Sequence, residues 1–133
     1  MSLDLAALPA EVLDFLTERH LATLTTLRRD RSPHVVPVGF TYDPATRLAR
    51  VITSGESVKA RNAGRPGAVA AICQVDGARW LTVGGPVRVD TDPEAIADAV
   101  ARYAARYRQP RINPLRVALI IEVDRMLGSS RLR

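Results

Sequence analysis

Lys59 is the only lysine in a chain whose other fixed cations are all arginine, and it closely follows the hydroxyls of Thr53, Ser54 and Ser57. A compact ammonium can act as a point charge on a phosphate, with neighbouring hydroxyls and freed backbone N–H groups as further donors. If Ser57 caps a short helix, the helix N-terminus adds partial positive charge at the same place. The same stretch also reads as a solvated loop with ordinary surface charge, so the choice falls to the rest of the chain. Motifs for other chemistry are missing: no GxGxxG after a strand, no Walker loop, no HExxH and no GxSxG occurs. His20 and His34 are not spaced as ligands on one element and read as structural or surface residues. Cys73 is the single cysteine, which rules out an internal disulfide and any multi-cysteine metal site; it lies in an apolar run, as inert core cysteines do. No carboxylate pair suggests acid–base work. A protein without reactive groups of its own borrows them from a cofactor.

The formal net charge of +5 fits an anionic partner. The arginines are spread rather than blocked, and no zinc-finger spacing, RNP-like aromatic strand or helix-turn-helix pattern accompanies them. A small, highly anionic ligand therefore ranks above nucleic acid. At 133 residues the chain is expected to form one cofactor-binding domain, residues 1–133. No apolar run approaches the roughly 20 residues that span a bilayer. Asp4 and Glu11 sit where a signal peptide would be basic and then apolar, so a soluble, cytoplasmic protein is expected.

The elements that must position these residues follow from periodicity. Pro9 to Arg19 predicts a helix, with Val12, Leu13 and Leu16 on one face. Strands are expected over His20 to Leu27, Pro33 to Tyr42, Leu48 to Thr53, Ala68 to Val75, Arg79 to Val89 and Arg116 to Leu127. Pro37 confines the second of these to an edge or a bulge. Asp76-Gly77 signals a hairpin, and Gly84-Gly85-Pro86 a sharp bend. Thr91-Asp92-Pro93-Glu94 opens a second long helix carrying Ile96, Val100, Tyr103 and Tyr107 on one face. Short turns imply antiparallel pairing. The expectation is a mainly β, six-stranded antiparallel barrel with flanking helices, closed because open edges are costly. Its core should include Leu24, Val36, Val38, Ile52, Val69, Ile72, Leu81, Val100 and Leu119.

One family shows the same order of segments: Glu18-Arg19-His20-Leu21-Ala22, Pro33-His34-Val35-Val36-Pro37-Val38, Ile52-Thr53-Ser54-Gly55-Glu56-Ser57-Val58-Lys59, Asp76-Gly77-Ala78-Arg79-Trp80, Arg106-Tyr107-Arg108. The chain resembles the split-barrel flavin and deazaflavin oxidoreductases, which include the pyridoxamine 5′-phosphate oxidases. Within them it is most similar to the mycobacterial deazaflavin-dependent branch of biliverdin reductases. The resemblance implies a homodimer with sites at the interface and a coenzyme F-420 cofactor, FMN being the alternative. It implies that His34, Val35, Val36, Pro37 and Val38 line the cofactor ring, with Ile52 and Thr53 at its edge. Ser57, Val58, Lys59 and Asn62 would surround the phosphate, Arg61 and Arg65 would follow an anionic tail, and Arg79 and Trp80 would close the pocket from the other subunit. The oxidase branch carries a further arginine- and tryptophan-containing segment for vitamin B6 phosphate; here Trp80 is the only tryptophan, which argues against pyridoxamine phosphate oxidation. The implied activity is hydride transfer from reduced F-420 to an unsaturated acceptor, a bilin-type tetrapyrrole such as biliverdin foremost. Arg106, Arg108, Arg111 and Arg116 are candidates for its propionates, although cations also gather at helix C-termini for the dipole alone. No metal ligands and no proton-donating side chain stand out. An FMN-dependent oxidase and a non-catalytic carrier of F-420, FMN or a tetrapyrrole remain alternative readings.

Overall fold

The computed structural model describes residues 1–132. In chain order the elements are α1 (Ala10–Phe15), β1 (Ala22–Leu27), β2 (Pro33–Val38), β3 (Thr41–Asp43), β4 (Leu48–Ser54), α2 (Val58–Ala63), β5 (Val69–Asp76), β6 (Arg79–Asp90), α3 (Pro93–Arg106), β7 (Arg116–Glu122) and β8 (Arg125–Gly128), then a 3-10 turn over Ser130–Leu132. All pairings are antiparallel, in the order β2-β1-β5-β6-β7-β4-β3, with β8 added to β6.

The twelve-residue β6 makes this one sheet into two halves. Its first part, Arg79 to Pro86, pairs with β5, and its last part, Val87 to Asp90, pairs with β7. The change of partner falls between Pro86 and Val87, just past Gly85. A Cβ at Gly85 would collide with the backbone carbonyl of Glu122, so the two halves meet closer than any side chain allows. The Gly84-Gly85 bend is thus where it was expected. Asp76-Gly77 also makes its hairpin, with Gly77 at φ 60°.

Two expectations change. There are eight strands rather than six: Gly39-Phe40 interrupts one expected strand and Val123-Asp124 another. The barrel is also not closed by hydrogen bonds, because among the described residues β2 and β3 remain unpaired edges. Pro37 lies on that β2 edge, where a missing N–H costs nothing.

The main core fills the interior with Val12, Phe15 and Leu16 of α1 and Leu24, Ile72, Leu81, Val83, Leu119, Ile121 and Met126 of the strands. A second, smaller cluster seats Ala99 of α3 on Ala118 and Ile120 of β7. Leu24, Val38, Ile72, Leu81 and Leu119 are buried as expected, and Val36 and Ile52 pack partly against the clusters. Val69 is 50% exposed instead, because its position in β5 turns it to the outer face; Val100 is only half-buried, since Ala99 takes the contact with the sheet. No helix among the described residues is long and apolar enough to cross a membrane.

Candidate functional site

β4 ends at Ser54, and the chain turns through Gly55 and Glu56 into α2. The turn is fixed by Gly55 N–H donating to the Leu115 carbonyl at 2.8 Å and Ser57 N–H to the Ser54 carbonyl at 3.1 Å. Ser57 caps α2: its hydroxyl oxygen accepts from Ala60 N–H at 3.2 Å, and Thr53 Oγ1 lies 3.1 Å from it. Lys59 follows, half-buried, with no hydrogen bond or ion pair among the described residues. Burial pushes its ammonium pKa down, as it must for a cation without a counter-charge. An unpaired, partly desolvated ammonium in the first turn of a helix is a place that favours an anion.

A second cationic surface adjoins the same helix. Arg28 and Arg29, from the turn after β1, join Arg61 and Arg65 around a hollow of about 470 Å³ that Asp30, Val58 and Asn62 complete. Arg61 and Arg65 were expected on an anionic tail; Arg28 and Arg29 were not foreseen. Their run reads as a plain turn in sequence, and only the packing of α2 on β1 brings it here.

Asn62 does not face this ligand space with free groups. Its amide N–H donates to Thr26 Oγ1 at 3.0 Å and its oxygen accepts from Arg65 at 2.6 Å, with the side chain fully enclosed. The expected phosphate ligand is a tie between α2 and β1. On β2, Val35 and Pro37 point outward and are exposed, whereas His34, Val36 and Val38 point inward. His34 stands opposite Thr26 in the ladder, next to the Asn62 tie, and its Nδ1 is buried without a partner. Thr53 also points inward, paired with Val117, whereas Ile52 packs toward α3. The five residues expected along the cofactor ring on β2 thus divide between its two faces, with His34, Val36 and Val38 on the side that Thr53 shares and Val35 and Pro37 on the outer side.

Arg79 and Trp80 lie elsewhere. Register places Trp80 opposite Val75, five positions along β6 from Gly85. Gly85 lies across from Ala70, and Ala70 across from Thr26. At about 3.3 Å per residue, Trp80 is on the order of 17 Å from the α2 end of the sheet. Arg79 is also occupied: its fork grips Glu18 at 2.8 and 2.9 Å, also meets Asp76, and lies 4.6 Å over the Phe15 ring. Hydrogen bonding from Arg79 holds the Glu18 carboxyl below its usual range. Glu18, His20 and Asp76 crowd together, but Arg79 already supplies the positive charge there.

The four arginines nominated for acceptor carboxylates do not form one patch. Arg106 is an internal strut, donating to the carbonyls of Glu18 (2.9 Å) and Phe40 (2.6 Å) and to Gln74 Oε1 (2.6 Å). Arg116 stands across the ladder from Ser54 and donates to the Arg111 carbonyl at 2.6 Å, so it and exposed Arg111 belong to the Lys59 side. Arg108 is exposed on a small hollow past the end of α3.

The fold agrees with what sequence comparison finds: the profile of the pyridoxamine 5′-phosphate oxidase family matches residues 8–129. The chain belongs to this family. A curated relative, a biliverdin reductase of Mycobacterium tuberculosis that depends on reduced coenzyme F-420, is 58% identical over 122 residues, covering 92% of this chain and 88% of its own. Among solved structures, a conserved hypothetical protein from Mycobacterium tuberculosis superposes with a TM-score of 0.77 at 22% identity, covering 92% of this chain and 84% of that one. An F-420 reductase superposes with a TM-score of 0.69 at 24% identity, covering 86% and 94%. These two likenesses establish the fold, that of the family's split barrels.

Proposed function

We propose that this protein is a coenzyme F-420-dependent reductase whose acceptor is biliverdin or a similar tetrapyrrole. The observation that carries the cofactor half is Lys59, an ammonium held half-buried with no partner among the described residues in the first turn of the helix that Ser57 caps, with the four-arginine hollow adjoining that helix. The donor set fits a phosphate that continues into several carboxylates. Reduced F-420 supplies a hydride when bound, from a ring with carbon where flavin has its reactive nitrogen. The chain's own residues bind and orient. Lys59 and the Ser57 and Thr53 hydroxyls would hold the phosphate, and Arg28, Arg29, Arg61 and Arg65 would take the glutamate tail. The identity of the acceptor is supported by the 58% identical relative.

The same reading needs a second copy of the chain, because Trp80 stands so far from Lys59 along the sheet. The outer face of the half-sheet formed by β2, β1, β5, β6 and β8 suits that role. It exposes Val35 (56%), Val69 (50%), Val75 (59%) and Leu127 (39%), and among its outward positions only Arg125 is charged. An apolar surface of this extent is expected to be covered. In a homodimer, Trp80 of the partner subunit would close the ring site that this chain opens at Val35 and Pro37.

The test is turnover. Purified protein with reduced F-420 and biliverdin should consume both in equal amounts, with loss of the biliverdin absorbance. Binding of both without turnover would favour a carrier, and oxygen consumption with bound FMN an oxidase.

A further inference from the structure

We infer that Arg19 and Arg108, with the rings of Tyr103 and Tyr107, form a pocket for one carboxylate arm of the acceptor; this rests on the reductase reading above. The hollow is lined by Arg19, His20, Leu21, Tyr103, Tyr107 and Arg108 and holds about 230 Å³. That is less than the roughly 300–1,000 Å³ of pockets that enclose a whole small molecule, so it takes a side arm and leaves the conjugated body outside.

Its walls select an anion on an apolar stem. Neither Arg19 nor Arg108 has a carboxylate partner among the described residues; Arg19 gives one N–H to the Tyr107 carbonyl at 2.7 Å, and the remaining donors of its fork stay available. The negative charge nearby is already answered, since Glu18 and Asp76 both bind Arg79, and His20 lies 3.3 and 3.6 Å from them. Tyr103 and Tyr107 pack with ring centroids 4.9 Å apart and supply a flat apolar wall. The Tyr107 hydroxyl is anchored, donating to the His20 carbonyl at 2.7 Å and accepting from Phe40 N–H at 3.2 Å. Leu21, 65% exposed, forms the opposite lip.

The position is right for a substituent of the acceptor. Gly39, the residue after β2, lies under both rings: a Cβ there would be 2.9 Å from Tyr103 and 3.0 Å from Tyr107. The pocket therefore begins where the ring-lining strand ends. Of the four arginines nominated from sequence, Arg108 is the one that lines this hollow, and its mate Arg19 comes from the other end of the chain.

The experiment has two arms. In the first, ring resonances of Tyr103 and Tyr107 are followed by NMR while 3-phenylpropionate or its neutral amide is added to the apo-protein. The acid should shift both rings at millimolar concentration and the amide should not, and Arg19→Ala or Arg108→Ala should abolish the response while Arg19→Lys keeps part of it. Equal shifts with the amide, or undiminished shifts in both alanine variants, overturn the pocket. In the second arm, biliverdin and its dimethyl ester are compared as acceptors. Wild type should favour the acid about tenfold in kcat/KM, and either alanine variant should erase that preference through KM, with F-420 affinity unchanged. A preference that survives both alanine variants overturns the assignment of the arm. A pocket that answers phenylpropionate in a protein that reduces neither bilin overturns the tetrapyrrole reading while the carboxylate site stands.

Discussion

At the scale of single residues, Lys59 is expected to show a conflict between stability and binding. Its pKa is lowered in the folded state by burial, so at neutral pH the native protein holds a proton less willingly than the unfolded chain does. The sign follows from linkage: this charge costs stability at neutral pH, and the cost fades as pH rises through the lowered folded value toward the ordinary lysine range. Lys59→Met should therefore raise the melting temperature of the apo-protein. Lys59→Ala should weaken cofactor binding about ten- to a hundred-fold, since a charge-assisted hydrogen bond contributes roughly 1.5–3 kcal/mol. The phosphate is remote from the transferred hydride, so the loss should sit in cofactor KM with kcat at saturation little changed. Two other arginines separate structure from binding. Arg106→Ala strands the buried Gln74 Oε1 at roughly 1–3 kcal/mol and takes one bond each from the Glu18 and Phe40 carbonyls, which keep His20 N–H and the Tyr107 hydroxyl. It should therefore lower the denaturant midpoint, whereas exposed Arg108→Ala should leave it nearly unchanged. Glu18 titrates in the opposite sense to Lys59. Its carboxyl lies below the usual range, so its tie to Arg79 is fully present above the ordinary carboxylate pKa and is lost as pH falls through the lowered value. Thermal melts between neutral pH and pH 3 should lose stability less steeply in Arg79→Gln than in wild type.

At the scale of elements, the bend in β6 carries the architecture. Gly85→Ala would drive a methyl group into the Glu122 carbonyl, whereas at Gly84 the nearest atom is the Ala70 carbonyl at 3.3 Å. Urea melts should place Gly85→Ala on the order of 1–3 kcal/mol below wild type or worse, with Gly84→Ala clearly milder. This bend was legible in the sequence because paired glycines inside an apolar run have few other uses. So were the Asp76-Gly77 hairpin, the Ser57 cap and the alternation of Val117, Leu119 and Ile121, all local signals. What was not legible was long-range. Gly39 breaks a strand because Tyr103 and Tyr107 lie over it, and nothing in residues 33–42 records that contact. Val69 reads as core because its apolar side chain alone does not say which face of β5 it occupies, and register turns it outward. Asn62 reads as a ligand and Arg106 as a surface cation until Thr26, Phe40 and Gln74 arrive from distant parts of the chain to bind them.

At the scale of the whole molecule, the separation of Lys59 from Trp80 makes a second copy part of the proposed site rather than an accessory to it. Sedimentation at micromolar concentration should give a dimer. Val35→Asp together with Val69→Asp, each placing a charge on the apolar face, should give a folded monomer that binds the phosphate end of the cofactor but no longer turns over. A wild-type monomer with full activity would remove the shared-site arrangement. Under the proposed function the cations spread across this chain would share one purpose: Lys59 for a phosphate, the arginine hollow for a polyanionic tail, and Arg19 with Arg108 for an acceptor arm. The cofactor is the claim on which these assignments depend, and a parallel equilibrium titration of the purified apo-protein with F-420 and with FMN tests it most directly. Saturable binding of F-420, tighter than FMN and weakened by Lys59→Ala and by added salt, is the predicted result; saturation by FMN with no response to F-420 would contradict it.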